Sequence, residues 1–168
     1  MESFSTEDIT QHYYPSFFSD IDINFARLIL LIAQDGGAIL FLTAALLSRC
    51  TGAGNVCFNL EAAAAKPLTD DTDPVKRIIC PKLEDWISAL RTSPAVGKPG
   101  ELTPMVFDQS FRLYLHRYWE YEQQLAAALK ERASGDEYVI DKPVLREGLS
   151  RLFPPIGEGY IDWQKFAA

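Results

Sequence analysis

The spacing of apolar positions predicts helices along most of the chain. The run from Phe25 to Gln34 is expected to form a helix, with Asp22 or Asn24 as its N-cap. Leu83 to Arg91 places its apolar residues on one face at helical spacing. Ile39 to Arg49 is apolar on nearly every side, which is typical of a helix that is buried in several directions.

Two further helices are expected in the second half of the chain. The segment from Arg117 to Ala133 carries one apolar stripe, made of Tyr118, Tyr121, Leu125 and Leu129, with polar residues on its other faces. Another helix is expected from about Lys142, with Leu145, Leu149, Leu152 and Phe153 as its apolar residues. Helices therefore dominate the predicted fold.

A period of two, the spacing of strands, occurs in a few short stretches. Met105 to Asp108 and the alternating segment Phe111 to Leu115 predict a β-hairpin, although its turn lacks the usual glycine. Val56 to Leu60 is a candidate for one additional short strand. We therefore predict a mainly α fold of the α+β kind, a helical domain with a small β-hairpin.

Composition and charge narrow the class of protein. The 168 residues are 48% apolar, which is enough to form a buried core without disulfides or metal ions. The sum of 16 basic and 23 acidic residues gives a net charge of −7, the wrong sign for a protein that binds DNA by itself. The longest uncharged apolar stretch, residues 36–47, is shorter than the roughly 20 residues that span a bilayer.

The N-terminus and the cysteines predict a cytoplasmic protein. Residues 1–24 contain five acids and no lysine or arginine, whereas a secretory signal begins with positive charge. Cys50, Cys57 and Cys80 are odd in number and lack the spacing of a zinc or redox site. We expect reduced thiols and no membrane association.

The residues suited to catalysis do not assemble into an evident centre. The glycines at 52 and 54 follow a helix, so we interpret them as a helix end rather than a phosphate loop. His12 and His116 are the only histidines, and the acids Asp70, Asp71 and Asp73 lie in a polar connector. We therefore expect no catalytic residue, no metal site and no bound cofactor.

Cations and aromatic residues alternate from the hairpin into the following helix, at Arg112, Tyr114, His116, Arg117, Tyr118, Trp119 and Tyr121. Such a run can stack the bases of a single-stranded nucleic acid. It can equally pack the helix onto the hairpin. The near balance of charge between residues 111 and 132 favours packing, and a free-standing module for single-stranded nucleic acid stays as the alternative.

The segment TPMVFDQSFRLYLHRYWEYEQQLAAALKER, residues 103–132, resembles a known family. It is similar to the N-terminal domain of the alpha subunit (RecD) of exodeoxyribonuclease V, the bacterial RecBCD complex, in which a PLVLD…RLYLxRYWxYE run precedes a helix. Weaker matching features follow the same order, at residues 48–49, 52–60, 86–97 and 145–153. The resemblance spans about residues 25–168.

The resemblance implies a division of the chain into three parts. Residues 1–24 would be an acidic, aromatic N-terminal arm, residues 25–155 a docking domain, and residues 156–168 the truncated start of the first helicase domain. The tail IDWQKFAA resembles the segment before the helicase phosphate loop, so Gln164 would contact the adenine of ATP in the full-length protein. ATP and Mg²⁺ would then be cofactors of the full-length protein only.

The resemblance also implies partners and a role. In that family the domain packs against the gamma subunit (RecC) of a complex that also contains the beta subunit (RecB). The complex unwinds and degrades double-strand DNA ends in recombinational repair, with the alpha subunit as its 5′ to 3′ helicase. This chain would meet DNA only through that complex. The expected interface residues are Tyr114, His116, Tyr118, Trp119 and Tyr121.

Overall fold

The computed structural model describes residues 6–13, 17–34, 37–68, 79–134, 141–153 and 163–164. The elements follow in the order α1 (Thr6–Tyr13), α2 (Asp20–Ala33), α3 (Ala38–Gly52), β1 (Cys57–Asn59), α4 (Leu60–Ala63), α5 (Leu83–Thr92), β2 (Val96–Gly97), β3 (Met105–Phe107), β4 (Arg112–Leu115), α6 (His116–Ala133) and α7 (Lys142–Leu152). The fold is mainly α with a small β part, which confirms the predicted class.

Helix α3 is the centre around which the other elements pack. Every residue from Leu40 to Leu47 is buried, and α3 contacts α1, α2, α5, β1 and β4. A helix that is apolar on all sides is stable in water only when each side is covered. The prediction of a helix buried in several directions is confirmed.

Helix α2 begins earlier than the sequence pattern suggested. Its N-cap is Ser19, whose hydroxyl accepts a hydrogen bond from the Asp22 backbone N–H, while the Asp22 carboxylate accepts from the Ser19 N–H at 2.9 Å. This reciprocal arrangement pairs two backbone donors that the first turn of a helix leaves free. The prediction of Asp22 or Asn24 as the N-cap is therefore wrong. Asp22 is instead the third residue of the helix and the second partner in the capping box.

The described parts of the first 24 residues pack into the core. Ile9 and Phe18 are fully buried, and the Phe17 and Phe18 rings meet edge to face with centroids 4.8 Å apart. The Arg49 guanidinium on α3 donates to the Phe17 carbonyl and lies 4.1 Å from the Phe17 ring. The side chains of His12 and Tyr13 and the whole of Tyr14 lie outside the described residues.

The described strands form a mixed sheet in the order β1-β4-β3-β2. Strands β3 and β4 pair antiparallel, with Val106 opposite Tyr114, so the predicted hairpin is confirmed. Strand β1 pairs antiparallel with β4 and confirms the additional strand. Strand β2 pairs parallel with β3. The sequence pattern missed it because two residues within a connector are too few for periodicity to show.

The chain divides into two compact units, Met1–Ala127 and Ala128–Ala168. The core described above belongs to the first unit. In the second unit, α7 starts at the N-cap Asp141, whose carboxylate accepts from the Val144 N–H at 3.2 Å. Within the described residues, no helix has the length and apolar character to cross a bilayer.

A buried polar link joins α5 to α3. The Trp86 indole N–H donates to the Thr43 hydroxyl, which donates in turn to the Ile39 carbonyl at 2.6 Å. Trp86 and Thr43 are fully buried, and the Trp86 ring lies 5.8 Å from the Phe58 ring of β1. The link pairs polar atoms that would otherwise be buried without a partner.

The three cysteines are free, as predicted. The Cys50 thiol donates to the Cys57 carbonyl at 3.3 Å, and burial, with a smaller contribution from nearby Cys57, raises the pKa of Cys50. Burial raises the pKa of the Cys80 thiol to about 11. Because the thiolate is the reactive form, the fold protects Cys80 from alkylation.

Substitution of Thr43 tests the polar link in the core. Thr43→Val keeps the side-chain shape but leaves the Trp86 N–H buried without an acceptor, so we expect a loss of about 1–3 kcal/mol in the free energy of unfolding. Thr43→Ser is the matched control, because it keeps the hydroxyl and loses one methyl group, worth about 1 kcal/mol. Urea denaturation measures both. A valine variant as stable as the wild type would show that the hydrogen bond contributes nothing.

The Cys80 thiol gives a prediction about pH. Its pKa of about 11 exceeds the usual value of about 8.5 in an unfolded chain. The folded state therefore keeps a proton that the unfolded state releases, so this contribution to stability is complete below pH ~8.5 and is lost as the pH rises toward ~11. At pH 8, we expect iodoacetamide to label Cys80 at least tenfold more slowly in the folded chain than in urea, as measured by peptide mass spectrometry. Equal rates would contradict its burial.

Candidate functional site

The hairpin turn determines where the candidate site begins. Asp108 accepts hydrogen bonds from the backbone N–H groups of Ser110 at 2.8 Å and Arg112 at 2.9 Å. Its other carboxylate oxygen pairs with the Arg112 guanidinium at 2.8 Å. An aspartate that bonds the backbone ahead of it produces a tight turn. This turn joins β3 to β4, and β4 continues without a break into α6.

Phe111 takes the place of the glycine that a hairpin turn usually contains. Its φ of 56° lies in the left-handed region that glycine usually occupies. The ring packs against the core, and the Phe111 carbonyl accepts a hydrogen bond from the Leu60 N–H at 3.0 Å. These contacts hold a backbone conformation that is unfavourable for a residue with a side chain.

Tyr114, the first predicted interface residue, is only 2% exposed. The Arg112 guanidinium lies 5.9 Å from its ring. Burial, together with the nearby Cys57 and Glu122, raises the pKa of the Tyr114 phenol far above its usual range, so the phenol stays neutral. The Tyr114 side chain therefore packs within the fold and exposes almost no area to a partner.

The other four predicted interface residues form what we call the α6 aromatic surface, namely His116, Tyr118, Trp119 and Tyr121. They make two pairs, which the 3.6-residue repeat of the helix places on opposite sides of the first turns of α6. The His116 and Trp119 rings are 6.5 Å apart, and the Tyr118 and Tyr121 rings are 6.4 Å apart at 84°. Tyr121 is 55% exposed, and the other three are partly buried.

Charged groups border the α6 aromatic surface. The Arg117 guanidinium lies 5.1 Å from the Tyr118 ring, and the His116 Nε2 atom lies 3.4 Å from the Glu120 carboxylate. His116 Nδ1 is buried without a hydrogen-bond partner. In the described part of the chain, no cluster of histidine, cysteine and acidic residues could hold a metal ion. The surface thus offers aromatic rings and a few charged groups, which are side chains that protein interfaces commonly use.

The remaining predicted residues lie elsewhere. Gln164 is exposed, and it and Trp163 have helical backbone. Residues 154–162 and 165–168 on either side lie outside the described part of the chain. Its role toward adenine stays a prediction. Asp70, Asp71 and Asp73 also lie outside the described residues.

Sequence reasoning missed a second exposed surface, which we call the α2 stripe. It consists of Ile21, Leu28, Leu31 and Ile32, which are 76%, 51%, 74% and 43% exposed. The signal was present in the sequence, because α2 contains more large apolar residues than one buried face needs. The same excess indicates burial in α3, whereas in α2 it marks a side that faces water.

Comparison with known proteins identifies relatives of the chain. Residues 16–114 match the family model of the RecBCD enzyme subunit RecD, N-terminal domain. The chain is 30% identical over 133 residues to the RecBCD enzyme subunit RecD of Mycobacterium tuberculosis, in each of two strains. It is 31% identical over 104 residues to the protein of the same name from Mycolicibacterium smegmatis.

These relatives are much longer than the chain. The match to the Mycobacterium tuberculosis protein covers 79% of this chain and 21% of that protein. The match to the Mycolicibacterium smegmatis protein covers 62% of this chain and 17% of that protein. The chain therefore spans about a fifth of the length of the relatives it matches.

Substitution of Asp108 tests the turn that leads into α6. Asp108→Ala removes the acceptor for two backbone N–H groups and the ion pair with Arg112, so we expect unfolding to become easier by about 1–2 kcal/mol. Asp108→Asn keeps an acceptor oxygen and loses only the exposed ion pair, so it should cost less than about 1 kcal/mol. Thermal and urea denaturation give both values. Equal losses in the two variants would mean that the backbone hydrogen bonds do not hold the turn.

Proposed function

Since the chain belongs to the family of the N-terminal domain of RecBCD enzyme subunit RecD, we propose that it is the docking domain of an exodeoxyribonuclease V alpha subunit and that it binds the gamma subunit, RecC. The observation that carries the proposal is the family match over residues 16–114. The relatives are subunits of an enzyme complex, so a domain of this family needs a surface for another subunit.

The chemistry of the α6 aromatic surface supports a protein partner. Tryptophan, tyrosine and arginine contribute most often to the binding energy of protein interfaces. Here Arg117 and Tyr121 share one side of α6 at a spacing of four residues, and Trp119 lies on the opposite side. Because these rings are amphipathic and stiff, they can be buried by a partner at a small cost in conformational entropy.

The electrostatics disfavour the alternative of a free-standing module for single-stranded nucleic acid. Such modules combine stacking rings with a positively charged groove. In this chain Glu120 and Glu122 accompany Arg112 and Arg117, and the net charge is −7. The rings are present, but the positive field that attracts phosphates is missing from this segment.

The proposal for the whole protein extends beyond this chain. It would be an ATP-dependent 5′ to 3′ DNA helicase subunit that acts in the cytoplasm with RecB and RecC in the repair of double-strand breaks. Its ATP and Mg²⁺ would be bound by the helicase domains that follow residues 156–168, with Gln164 at the adenine. The present domain would contact DNA only through the assembled complex.

A binding measurement with the purified chain and the purified gamma subunit of the same organism tests the proposal. We expect Trp119→Ala and Tyr121→Ala each to weaken binding tenfold or more in isothermal titration calorimetry, equivalent to about 1.4 kcal/mol. Gln124→Ala, an exposed residue of the same helix, is the matched control and should change affinity less than twofold.

Two results would overturn this assignment. One is a wild-type chain that shows no binding to the gamma subunit. The other is nanomolar binding of single-stranded DNA whose affinity falls steeply with salt, which would favour the nucleic-acid module.

A further inference from the structure

Cys50 and Cys57 lie at the two ends of the short connection between α3 and β1. Cys50 is in the last turn of α3, and Cys57 is the first residue of β1. The backbone N–H and the side-chain amide of Asn55 both donate to the Cys50 carbonyl, each at 3.1 Å. Gly54 has a φ of 88°, which residues with a side chain rarely adopt, and this allows the chain to reverse. The connection therefore returns Cys57 to the end of the helix that carries Cys50.

The side chain of Cys50 reaches the backbone of Cys57. The Cys50 Sγ atom is 3.3 Å from the Cys57 carbonyl oxygen. That oxygen is two bonds from the Cys57 Cα atom, so standard bond lengths put the Cys50 sulfur at most about 6 Å from Cys57 Cα. A disulfide joins residues whose Cα atoms are about 4.4–6.8 Å apart. The Cys50 sulfur therefore lies near the base of the Cys57 side chain, at a separation of the order that a disulfide spans.

Both thiols are partly accessible to solvent. Cys57 pairs with Tyr114 on β1, an edge strand of the described sheet, and its thiol is close enough to the Arg112 guanidinium to interact with it electrostatically. Partial exposure beside a guanidinium is typical of cysteines that react with oxidants. Burial raises the pKa of Cys50, so this residue suits the role of a thiol that reacts second.

Cys80 has the opposite environment. It is only 5% exposed, and burial raises the pKa of its thiol to about 11. Because the thiolate is the form that reacts with oxidants, we expect Cys80 to remain reduced while the other two thiols react. It is thus a reference thiol within the same chain.

We propose that Cys50 and Cys57 form a modification site at which a hydroperoxide produces a reversible disulfide between the end of α3 and β1. The site lies apart from the α6 aromatic surface and the α2 stripe in the sequence of elements. The inference does not depend on the proposed function, since it rests on the placement of two thiols within this chain.

The reaction uses one hydrogen peroxide for each pair of thiols. The Cys57 sulfur attacks a peroxide oxygen, the O–O bond breaks, and one water leaves while a sulfenic acid remains on Cys57. The Cys50 sulfur then attacks the Cys57 sulfur, so the S–S bond forms, the S–O bond breaks and a second water leaves with the Cys50 proton. The two thiols lose two electrons, which reduce the peroxide to water. A dithiol reductant reverses the modification.

The disulfide would join the central helix to the edge of the sheet. It closes the loop of residues 50–57, which removes freedom from the unfolded chain. We therefore expect the urea midpoint of the oxidised chain to be higher than that of the reduced chain by roughly 1 M. Dithiothreitol should return the midpoint to its original value.

Thiol counting with the purified full chain tests the proposal. The reduced chain is treated with hydrogen peroxide and then unfolded with a thiol reagent, and we expect the three free thiols to fall to the one of Cys80. Cys50 and Cys57 share a tryptic peptide, because no lysine or arginine lies between Arg49 and Lys66. Mass spectrometry should show this peptide unlabelled and lighter by two hydrogen atoms. The peptide with Cys80 should carry the label.

Two alanine variants make the test specific. In Cys57→Ala, peroxide should form no disulfide within the chain and should not raise the urea midpoint. Cys80→Ala is the matched control, because it also removes one thiol but keeps the proposed pair, and peroxide should leave it with no free thiol. Circular dichroism establishes that each variant is folded before it is oxidised.

Four results would each overturn the inference. The folded wild type could keep three free thiols after peroxide treatment, or its disulfide could involve Cys80 or a second chain. Cys57 could stop at a sulfinic acid, which shows as two added oxygen atoms on the tryptic peptide. The oxidised chain could also unfold at a lower urea concentration than the reduced chain, which would show that the fold does not accommodate the bond.

Discussion

The burial of α3 on all sides is the constraint on which the rest of the first unit depends. No side of this helix can face water without exposing leucine or phenylalanine, so α1, α2, α5 and the sheet are each required as cover. The hydrogen bond from Trp86 to Thr43 makes this packing specific, because it pairs one position on α5 with one position on α3. Apolar contacts alone would tolerate sliding between the helices, whereas an unpaired buried indole N–H would be costly.

The same core determines where side chains are available for binding. Strand β4 lies between β1 and β3, and its continuation into α6 presents the α6 aromatic surface directly beside the sheet. Helix α2 covers the core with one face and exposes the α2 stripe with the other. Both surfaces consist of apolar or aromatic side chains with few charges, which suits a domain whose proposed role is attachment to another subunit.

The fold could be predicted well from local patterns, whereas the candidate surfaces could be predicted only in part. Periodicity was sufficient for α3, α5, α6 and the β3–β4 hairpin because each is long enough or regular enough for its spacing to show. It placed the start of α2 too late, because the capping box consists of hydrogen bonds that each of two side chains accepts from the other residue's backbone N–H, which the spacing of apolar residues does not reveal. Tyr114 belonged to the predicted interface, yet it is buried, because its exposure depends on pairing with Cys57 and Val106.

The amino-acid sequence by itself determined the helical class, the hairpin, the acidic character of the chain and its resemblance to the RecD family. These properties depend on the order and type of residues within short segments, so no distant contact is needed to recognise them. Only the tertiary structure decided which apolar residues are covered. Leu28 and Leu47 are the same residue type in helices of similar apolar character, yet one is 51% exposed and the other fully buried. Burial depends on which elements of the chain pack against a side chain, and these partners can be distant in sequence.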